Sequence, residues 1–361
     1  MATNYHSGTS AQTPDTLAEL RFNSALSSAF LSRTFAALTA VTFREHGEQA
    51  ANDLWFRVLT SEQRDRYHEG LLRLGIGNDP PAVAAAKYHY FTNMIGGLEM
   101  QYVRESDTKV WIRYLAPMWT YPGIAIMAMP ASVRRTIFGA WHPRNGRYMG
   151  CPRLGYVATK FSMDGDPYDE GYFMEYDHDI TEEQSYRIEV VLHTPEFHAA
   201  SAPVLDPALW PEARILKARP KFSSGYVRAT VDALYASVGE FKTHQIVRTT
   251  MRLLAIQTAP DLAAQAGLQA RTVTDIARFQ HTLLTSMRRD ADLESLGDRA
   301  SRIVLRSFEP FDVHYPPGLH EAFFEFHSMA TRMLNGHVRV VRTEIDGGET
   351  WDFTDAGRWL H

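Results

Sequence analysis

Cysteine is almost absent from the sequence, because Cys151 is the single thiol among 361 residues. An intrachain disulfide is therefore excluded, and so is a zinc site built from the cysteines of this chain. A reducing compartment is consistent with this composition.

Long apolar runs are also missing. The longest run, residues 123–129, falls far short of the roughly 20 apolar residues that a membrane-spanning helix needs. Residues 1–16 are polar and contain no hydrophobic signal core. We therefore expect a cytoplasmic protein without a membrane partner.

Basic residues are not in excess. The chain has 37 Lys and Arg against 42 Asp and Glu, which gives a formal net charge of -5. The basic residues are scattered and do not form a stripe, so nucleic acid is not an expected partner.

Three common functional motifs are missing. The chain has no Walker-type phosphate loop, no dinucleotide fingerprint after a strand and no Gly-x-Ser-x-Gly elbow. These absences disfavour NTP-dependent enzymes, NAD-dependent enzymes and the common serine hydrolases. The segment 320–327 begins and ends with histidine, but it lacks the paired-histidine spacing of a zincin, so we assign no metal ligand to it.

The composition is that of a globular protein, with 45% hydrophobic and 22% charged residues. The length suits two domains, or one large domain with two closely packed halves. We predict a flexible tail at 1–14, a helix-plus-sheet domain at 15–200 that contains the site, and a mostly helical second half at 207–361.

Helix signals dominate the N-terminal block. Asp15 is a candidate cap for a helix with an apolar stripe from Leu17 to Val41. The residues Thr-Ser-Glu-Gln at 60–63 have the capping-box form of a second helix start. Asp-Pro-Pro at 79–81 predicts a third helix that stops at glycines 96–97.

Beyond these glycines the hydrophobic period changes to two. The pattern predicts a hairpin of 98–102 and 110–114 around a turn at 106–108. It also predicts a helix at 131–141 and further strands, which are 123–129, 154–163, 172–179 and 186–192. One mixed or antiparallel sheet is the simplest arrangement of these strands.

Helical patterning returns from 207 to 335, with breaks near Gly239, Gly267, Gly297 and 316–317. The chain then closes with a hairpin around Asp-Gly-Gly at 346–348. We therefore predict an α/β protein of the α+β class, in which a helical N-terminal block packs on a mainly antiparallel sheet and precedes a helical C-terminal half that ends in a hairpin.

The two halves share a sparse similarity. Alignment of 33–34 with 248–249, and of Gly97 with Gly336, brings Trp111 close to the register of Trp351. An internal duplication and a coincidence of two helix-hairpin units both remain open.

Reactive side chains concentrate in the segment 139–198, first of all in the turn that follows the 131–141 helix. His142 is the first candidate for acid-base catalysis, because imidazole titrates near neutral pH. Arg144 and Arg153 could hold an anionic group of a ligand. Cys151 could act as a nucleophile if a neighbouring arginine lowers its pKa. The alternatives are a surface histidine and a small buried thiol.

The predicted strand 172–179 provides the second set of candidates. Period-two alternation places Glu175 and Asp177 on one face of the strand. Like charges at this spacing raise each other's pKa when they are partly buried, so either residue could be a general base. The opposite face carries three candidate binding residues, Tyr172, Tyr176 and His178. With His178 the carboxylates could also hold a hard divalent cation, whereas the alternative is a solvated acidic face.

The third predicted helix adds Tyr88 and His89 to the candidate binding residues. Helical spacing puts His89 on one face with Asn93, so these polar groups could point into a pocket between the helix and the sheet. A satisfied core histidine is the alternative.

Several short strings together resemble the L-2-amino-thiazoline-4-carboxylic acid hydrolase-like family over about residues 20–195. They are Gly-Gly at 96–97, Leu-Glu-Met-Gln-Tyr-Val-Arg-Glu-Ser at 98–106, the strand from 110 to 117 and Gly-Asp-Pro at 165–167. The resemblance implies an α/β domain that opens a small cyclic amidine or a related ring by hydrolysis. It also implies a cysteine shortly after the Gly-Asp pair, but Tyr168 stands there in this sequence.

We therefore expect a hydrolase or lyase of a small, partly apolar molecule, with acid-base chemistry by His142 and a carboxylate. It would work without a metal or with loose assistance from a divalent metal. The alternatives are a non-catalytic binding or sensor protein for a small molecule or a haem-type cofactor, and a structural protein. The sequence leaves a homo-oligomer open.

Overall fold

The computed structural model describes residues 15–116, 129–268, 271–306, 311 and 315–360. The predicted tail at 1–14 and nearly all of the predicted strand at 123–129 lie outside the described residues. The described residues form an α+β fold in which helix predominates over strand.

The first helix, α1, is much longer than the sequence signals predicted, because it runs over Leu17–Arg73. Thr16 caps it, not Asp15, since the Thr16 hydroxyl accepts the amide proton of Glu19 at 3.2 Å. The single break in α1 is at Gly47, which has a φ of 82°. The predicted helix start at 60–63 is wrong, because the Thr60 hydroxyl donates to the carbonyl of residue 56 within the helix.

The N-terminal half continues with one further long helix, two shorter ones and a five-stranded sheet. The elements in order are α2 (Pro81–Gly96), β1 (Met100–Arg104), β2 (Lys109–Leu115), α3 (Ser132–Trp141), α4 (Asn145–Met149), β3 (Leu154–Lys160), β4 (Tyr168–Glu175) and β5 (Tyr186–Ile188). The strand order is β1-β2-β4-β3-β5, and only the β3–β5 pair is parallel. The predicted hairpin, the α2 helix and the α3 helix are confirmed.

The C-terminal half is less helical than predicted. Its elements in order are α5 (Glu212–Gln265), α6 (Val273–Ser286), β6 (Ala291–Ser295), β7 (Ala300–Leu305), α7 (Pro317–Leu334), β8 (Val338–Ile345) and β9 (Gly348–Asp355). The terminal hairpin is confirmed, but it belongs to a four-stranded sheet of order β6-β7-β9-β8. The prediction of helix through 291–305 is wrong, because these residues form a hairpin around Gly297.

The two halves repeat one topology. Each has a long helix broken at a glycine, a second helix, a hairpin, a third helical stretch and a second hairpin. The sheet orders β1-β2-β4-β3 and β6-β7-β9-β8 correspond strand for strand. The hairpin after Gly97 therefore corresponds to β6–β7 and not to the terminal hairpin, so the predicted alignment of Gly97 with Gly336 is wrong.

The halves share one core. The α1 helix packs most extensively against α5, and the buried apolar residues of both halves form one contiguous cluster. Phe35 of α1, for example, contacts the Tyr226 ring of α5 with 5.3 Å between ring centroids. Full burial of such a side chain contributes roughly 1.5–3 kcal/mol. The residues 15–200 therefore do not have a core of their own.

By length and composition α1 could also span a membrane. However, 72% of its most apolar 18-residue window is buried within the protein. Its apolar side chains therefore pack mainly against other parts of this chain.

The N-terminal sheet presents two different faces. Tyr156 and Phe173 lie in the main core, on the face that the helices cover. Trp111, Val157 and Tyr172 form a separate small cluster on the opposite face. A site between the helices and this sheet can therefore receive side chains from only one of the two faces.

Candidate functional site

A cavity of about 580 Å³ lies between the helices and the N-terminal sheet. Its size is within the range of about 300–1,000 Å³ that is common for small-molecule sites. The walls come from the second segment of α1, from α2, from α3 and from the first part of α5, and β2 contributes Tyr114. Its apolar and aromatic lining residues are Leu59, Tyr88, Ile137, Phe138, Trp141, Phe222 and Tyr226.

Two histidines and a tyrosine form a hydrogen-bonded chain in the cavity wall. The Tyr114 hydroxyl lies 2.7 Å from Nε2 of His142 and 3.2 Å from Nδ1 of His89. The two imidazole rings are stacked, with 4.2 Å between their centroids. All three side chains are buried, and all three line the cavity. We call this group the His-Tyr-His chain.

The sequence of each helix explains how these groups meet. His89 lies in the middle of α2, whose alanine-rich face packs closely into the core. His142 is the last residue to follow the helical path of α3 before Pro143, which has no amide proton to continue the pattern of α-helical bonds. Tyr114 is at the end of β2, opposite the first residue of β1.

The bonds at both ends of the network determine where its protons lie. Carbonyl oxygen can only accept, so the side-chain NH₂ group of Gln63 must face the Trp141 carbonyl at 2.9 Å. The same NH₂ group then donates to Oδ1 of Asn145 at 2.7 Å, and the Asn145 NH₂ group donates to Nε2 of His89 at 3.0 Å. His89 therefore carries its proton on Nδ1.

The proton order continues through Tyr114. The Nδ1–H group of His89 donates to the Tyr114 hydroxyl, which in turn donates to Nε2 of His142. His142 then carries its proton on Nδ1 and donates to the carbonyl of Phe138 at 3.3 Å. The position of each exchangeable proton in the His-Tyr-His chain is thus fixed by its hydrogen bonds, and both histidines are Nδ1–H tautomers.

Both imidazoles are neutral at physiological pH. Burial lowers the pKa of His89 to about 3 and lowers the pKa of His142 well below its usual value. The neighbouring His89 ring lowers the pKa of His142 further. The alternative interpretation of His142 as a surface histidine is therefore wrong, and the His-Tyr-His chain is a neutral hydrogen-bonded network.

A metal or haem does not fit the two histidines as they stand. All four ring nitrogens have hydrogen-bond partners within the protein. A metal would have to break one of these bonds to reach a nitrogen lone pair. Among the described residues, no group of three or more His, Cys, Asp or Glu side chains is placed to hold a metal ion.

Charged side chains line the more exposed part of the cavity. They are Glu62, Arg66, Glu69, Arg73, Lys221 and Arg228. Glu62 is ion-paired with Arg66 at 3.1 Å, and its side chain is only 12% exposed. Burial raises the pKa of the Glu62 carboxyl above its usual value, against the opposing effect of Arg66. With two carboxylates among six charged groups, this rim has an excess of positive charge.

Two further features of the wall bear on a ligand. The Trp141 indole N–H is buried and has no hydrogen-bond partner within the described part of the chain. Tyr88 packs against Gly70, where a Cβ atom would lie 2.5 Å from the Tyr88 ring. Gly70 therefore allows the Tyr88 ring to lie against α1.

The structure brings three of the predicted site residues together, and they are Tyr88, His89 and His142. The predicted partner of His142, Glu175, is not among the residues that line the cavity. Glu175 pairs instead with the partly exposed Arg153 at 2.6 Å. The strand ends at Glu175, so Asp177 is not on a strand face, and its side chain is 96% exposed.

The remaining candidates on this strand and beyond it are also away from the cavity. His178 is exposed and bonds to Asp177 at 2.6 Å. The Tyr176 hydroxyl accepts a bond from Arg187. Tyr172 lies in the small cluster on the opposite face of the sheet. Since none of them lines the cavity, they form no site with His142.

Cys151 and Arg144 line a different depression, which has a volume of about 410 Å³. Cys151 is buried, and Arg144 is held by the carbonyls of residues 139 and 140. Cys151 therefore does not line the cavity that His142 borders. Arg153 lies within hydrogen-bonding reach of the Cys151 thiol, but no histidine is among the described residues that line this depression, so the thiol has no imidazole base there.

The sequence did not identify Glu62, Gln63 or Tyr114 as site residues. Glu62 and Gln63 belong to the predicted helix start, and Tyr114 belongs to the predicted strand 110–114. A signal for Glu62 was present, because Arg66 follows it at the i,i+4 spacing of a helical ion pair. Nothing local in the sequence indicates the bond of Gln63 to Asn145.

Comparison with protein-family models, with curated proteins and with solved structures found no match to this chain.

Proposed function

We propose that the chain is a hydrolase or lyase that acts on a small, partly apolar anion by acid-base chemistry in this cavity. The observation that carries the proposal is the His-Tyr-His chain, whose three members all border a cavity large enough for an organic ligand. Aromatic walls with a few convergent polar groups are typical of small-molecule sites.

The His-Tyr-His chain would move a proton at the Tyr114 hydroxyl. When this oxygen takes a proton from a ligand or a water molecule, its own proton passes to Nε2 of His142. The imidazolium that results keeps its bond to the carbonyl of residue 138, and the proton returns by the same path to the leaving atom. During this exchange the Nδ1–H group of His89 stays bonded to the Tyr114 oxygen and holds that oxygen in position.

Glu62 would supply the second acid-base group. A carboxyl group whose pKa is raised by burial can exchange protons closer to neutral pH than an ordinary glutamate. Arg66, Lys221 and Arg228 lie around the same opening and would attract an anionic group of the substrate. This arrangement replaces the carboxylates that the sequence favoured.

The family resemblance supports one version of the proposal, which is the hydrolytic opening of a small cyclic C–N compound that carries a carboxylate. The missing cysteine at Tyr168 does not conflict with this version. The Tyr114 relay and Glu62 would activate water directly, without a thiol nucleophile.

The test is turnover of a panel of cyclic amidines with and without a carboxylate, 2-aminothiazoline-4-carboxylate among them, followed by proton NMR. We expect the wild type to turn over at least one carboxylate and Tyr114→Phe to lose that turnover. The matched control is Tyr172→Phe on the opposite face of the same sheet, which should retain turnover. Equal turnover by the wild type and Tyr114→Phe would contradict the assigned role.

A non-catalytic binding protein is the second candidate function. The observation in its favour is that every ring nitrogen of both histidines is already satisfied within the protein. Histidines that only line a binding pocket, without transferring protons, would have their ring nitrogens satisfied in the same way. Binding of a carboxylate in this cavity without turnover of any member of the panel would favour this candidate.

A further inference from the structure

The two halves match residue by residue, beyond their common topology. The long helices break at Gly47 and Gly239, whose φ values are 82° and 79°. The second helices are followed by a residue in the left-handed region, Gly97 in one half and Arg288 in the other. Each of these residues precedes the first strand of its sheet by the same number of positions.

Four cavity residues can be matched from these landmarks. His142 and His327 follow the caps of their helices, residues 131 and 316, by equal distances. His89 and Gln280 precede Gly97 and Arg288 by equal distances. Tyr114 and Leu305 each pair with the first residue of the preceding strand, and Trp141 corresponds to Phe326.

The C-terminal half has its own pocket at the matching place, with a volume of only about 50 Å³. Phe30 and Thr34 of α1 line it, and these residues correspond to Phe222 and Tyr226 of α5 in the open cavity. Each pocket is therefore bordered by the long helix of the other half. This pocket has less than a tenth of the volume of the open cavity, so it has no room for an organic ligand.

Aromatic side chains close the second pocket. The Trp351 ring packs on His327 with 4.4 Å between centroids, and Phe324 packs on Trp351. The position that matches Trp351 in the first half is Gly171, since both lie opposite an isoleucine of the neighbouring strand. The first half thus has no side chain where the second half has an indole.

Some buried groups are common to both halves. His327 carries its proton on Nδ1 and donates to Gln280 at 2.6 Å, so it is a buried Nδ1–H histidine like His142. Asp169 and Glu349 are matching buried acids, and each is paired with an arginine. Since these groups are present where there is no ligand-sized cavity, the fold needs them for its own stability.

Other groups are found only in the open half, namely His89, Tyr114 and Trp141. The closed half has Gln280, Leu305 and Phe326 in their places, and it folds with them. We propose that the chain is a duplicated unit with one ligand site, in which His89, Tyr114 and Trp141 bind the ligand, whereas His142 belongs to the framework and acts through Tyr114. The assignment of these roles rests on the proposed function.

The duplication provides substitutions that the fold already accommodates. The triple variant His89→Gln, Tyr114→Leu, Trp141→Phe copies the closed half into the open half. The probe is 1-naphthoate, an aromatic carboxylate, in isothermal titration calorimetry at pH 7. We expect one equivalent to bind to the wild type and about a tenfold or greater loss of affinity in the triple variant, because ligand partners are removed. Phe323→Leu in the closed pocket is the control and should bind normally.

Thermal stability gives a second measurement that does not depend on the probe. His142→Gln and His327→Gln should lower the Tm by similar amounts, since both remove a framework group. The triple variant should lower the Tm by less than either, because the closed half folds with the same three residues around its own buried histidine. A triple variant that fails to fold, or that is less stable than His142→Gln, would show that its residues belong to the framework and would overturn the inference.

Two binding outcomes would also overturn it. They are two equivalents of 1-naphthoate per wild-type chain, and an unchanged affinity in the triple variant.

Failure of the proposed function has a different signature. Binding that the triple variant abolishes, without turnover of any cyclic amidine, would leave the single site in place and remove the catalytic role. If the wild type does not bind 1-naphthoate, the anionic substrate is contradicted and the order of Tm values alone decides the inference.

Discussion

The Tyr114 hydroxyl donates to Nε2 of His142 across 2.7 Å, although the two residues belong to a strand and a helix end. The opposite face of the same hydroxyl receives the Nδ1–H group of His89. One phenol thus connects two neutral imidazoles in the wall of a cavity. The proposed chemistry depends on this connection, and so do the predictions that follow.

Removal of the Tyr114 hydroxyl in Tyr114→Phe should destabilise the protein. The change leaves Nε2 of His142 without a donor and the Nδ1–H group of His89 without an acceptor. An unsatisfied buried polar group costs about 1–3 kcal/mol, so we expect a loss of that order in the free energy of unfolding. Urea denaturation at pH 7 measures it. Tyr90→Phe is a control at a tyrosine that does not line the cavity, and equal losses in the two variants would contradict the role of the bond.

Stability should fall steeply in mild acid. The pKa values of His89 and His327 are lowered to about 3 in the folded state, whereas unfolded histidine titrates near its usual value of 6.5. Between these pH values the unfolded chain binds protons that the folded chain does not. Each such histidine should therefore reduce the free energy of unfolding by roughly 1.4 kcal/mol per pH unit as the pH falls from about 6 to 4.

The variant His327→Gln isolates this effect away from the cavity. Its free energy of unfolding should change with pH less steeply than that of the wild type over the same interval. The difference in slope should equal the contribution of about one bound proton. Urea denaturation at several pH values gives both slopes. Identical slopes would show that His327 is protonated in the folded protein.

The carboxyl group of Glu62 should control the pH dependence of ligand binding. Its pKa is raised by burial, so its charge is lost as the pH falls toward and below this raised value. Loss of the negative charge favours an anionic ligand, and affinity for 1-naphthoate should rise with falling pH in the wild type. The variant Glu62→Gln has no carboxyl group at this position, so its affinity for 1-naphthoate should change little with pH. The measurement is calorimetry at several values from about pH 5 to about pH 8, which begins just above the usual carboxyl pKa.

Glu175→Gln is the matched control for Glu62. Glu175 was the favoured carboxylate in the sequence, but it pairs with Arg153 outside the cavity. Its substitution should leave the pH dependence of binding as in the wild type. The opposite result, with Glu175→Gln altered and Glu62→Gln unchanged, would restore the sequence-based assignment.

Gly70→Ala should perturb the cavity wall. The new Cβ atom would lie 2.5 Å from the Tyr88 ring, so the ring must move. Overpacking of this kind costs typically about 1–3 kcal/mol, partly offset by the higher helix propensity of alanine. We expect weaker binding of 1-naphthoate and a lower Tm. Gly77→Ala, where the nearest atom is 3.5 Å away, is the control and should leave binding unchanged.

Much of the fold followed from patterns of apolar residues, and the failures have local causes. The β6 strand has only five residues, and its alternation consists of Ala291 and Leu293 between acidic residues, which is too short to distinguish a strand from a helix. The helix start predicted at Thr60 failed because its hydroxyl bonds back to the preceding turn, as it can in any helix.

The site was only partly predictable for a different reason. His89 and His142 could be selected by residue type, because imidazole is chemically versatile. Their partners depend on how α1 packs against α3 and on where β2 ends, and no local pattern records either fact. Gln63 and Asn145 meet only because α1 continues without a break beyond Gly47. Long-range packing of this kind has no periodicity in the sequence.

Nitrogen NMR of histidine side chains tests the central claim most directly. The protein is labelled with ¹⁵N-histidine, and the two signals are assigned with His89→Gln and His142→Gln. We expect both residues to be neutral Nδ1–H tautomers at pH 7 and to remain so as the pH falls to about 5, below the usual histidine pKa. An imidazolium form, or an Nε2–H tautomer, for either residue at pH 7 would contradict the directed relay through Tyr114.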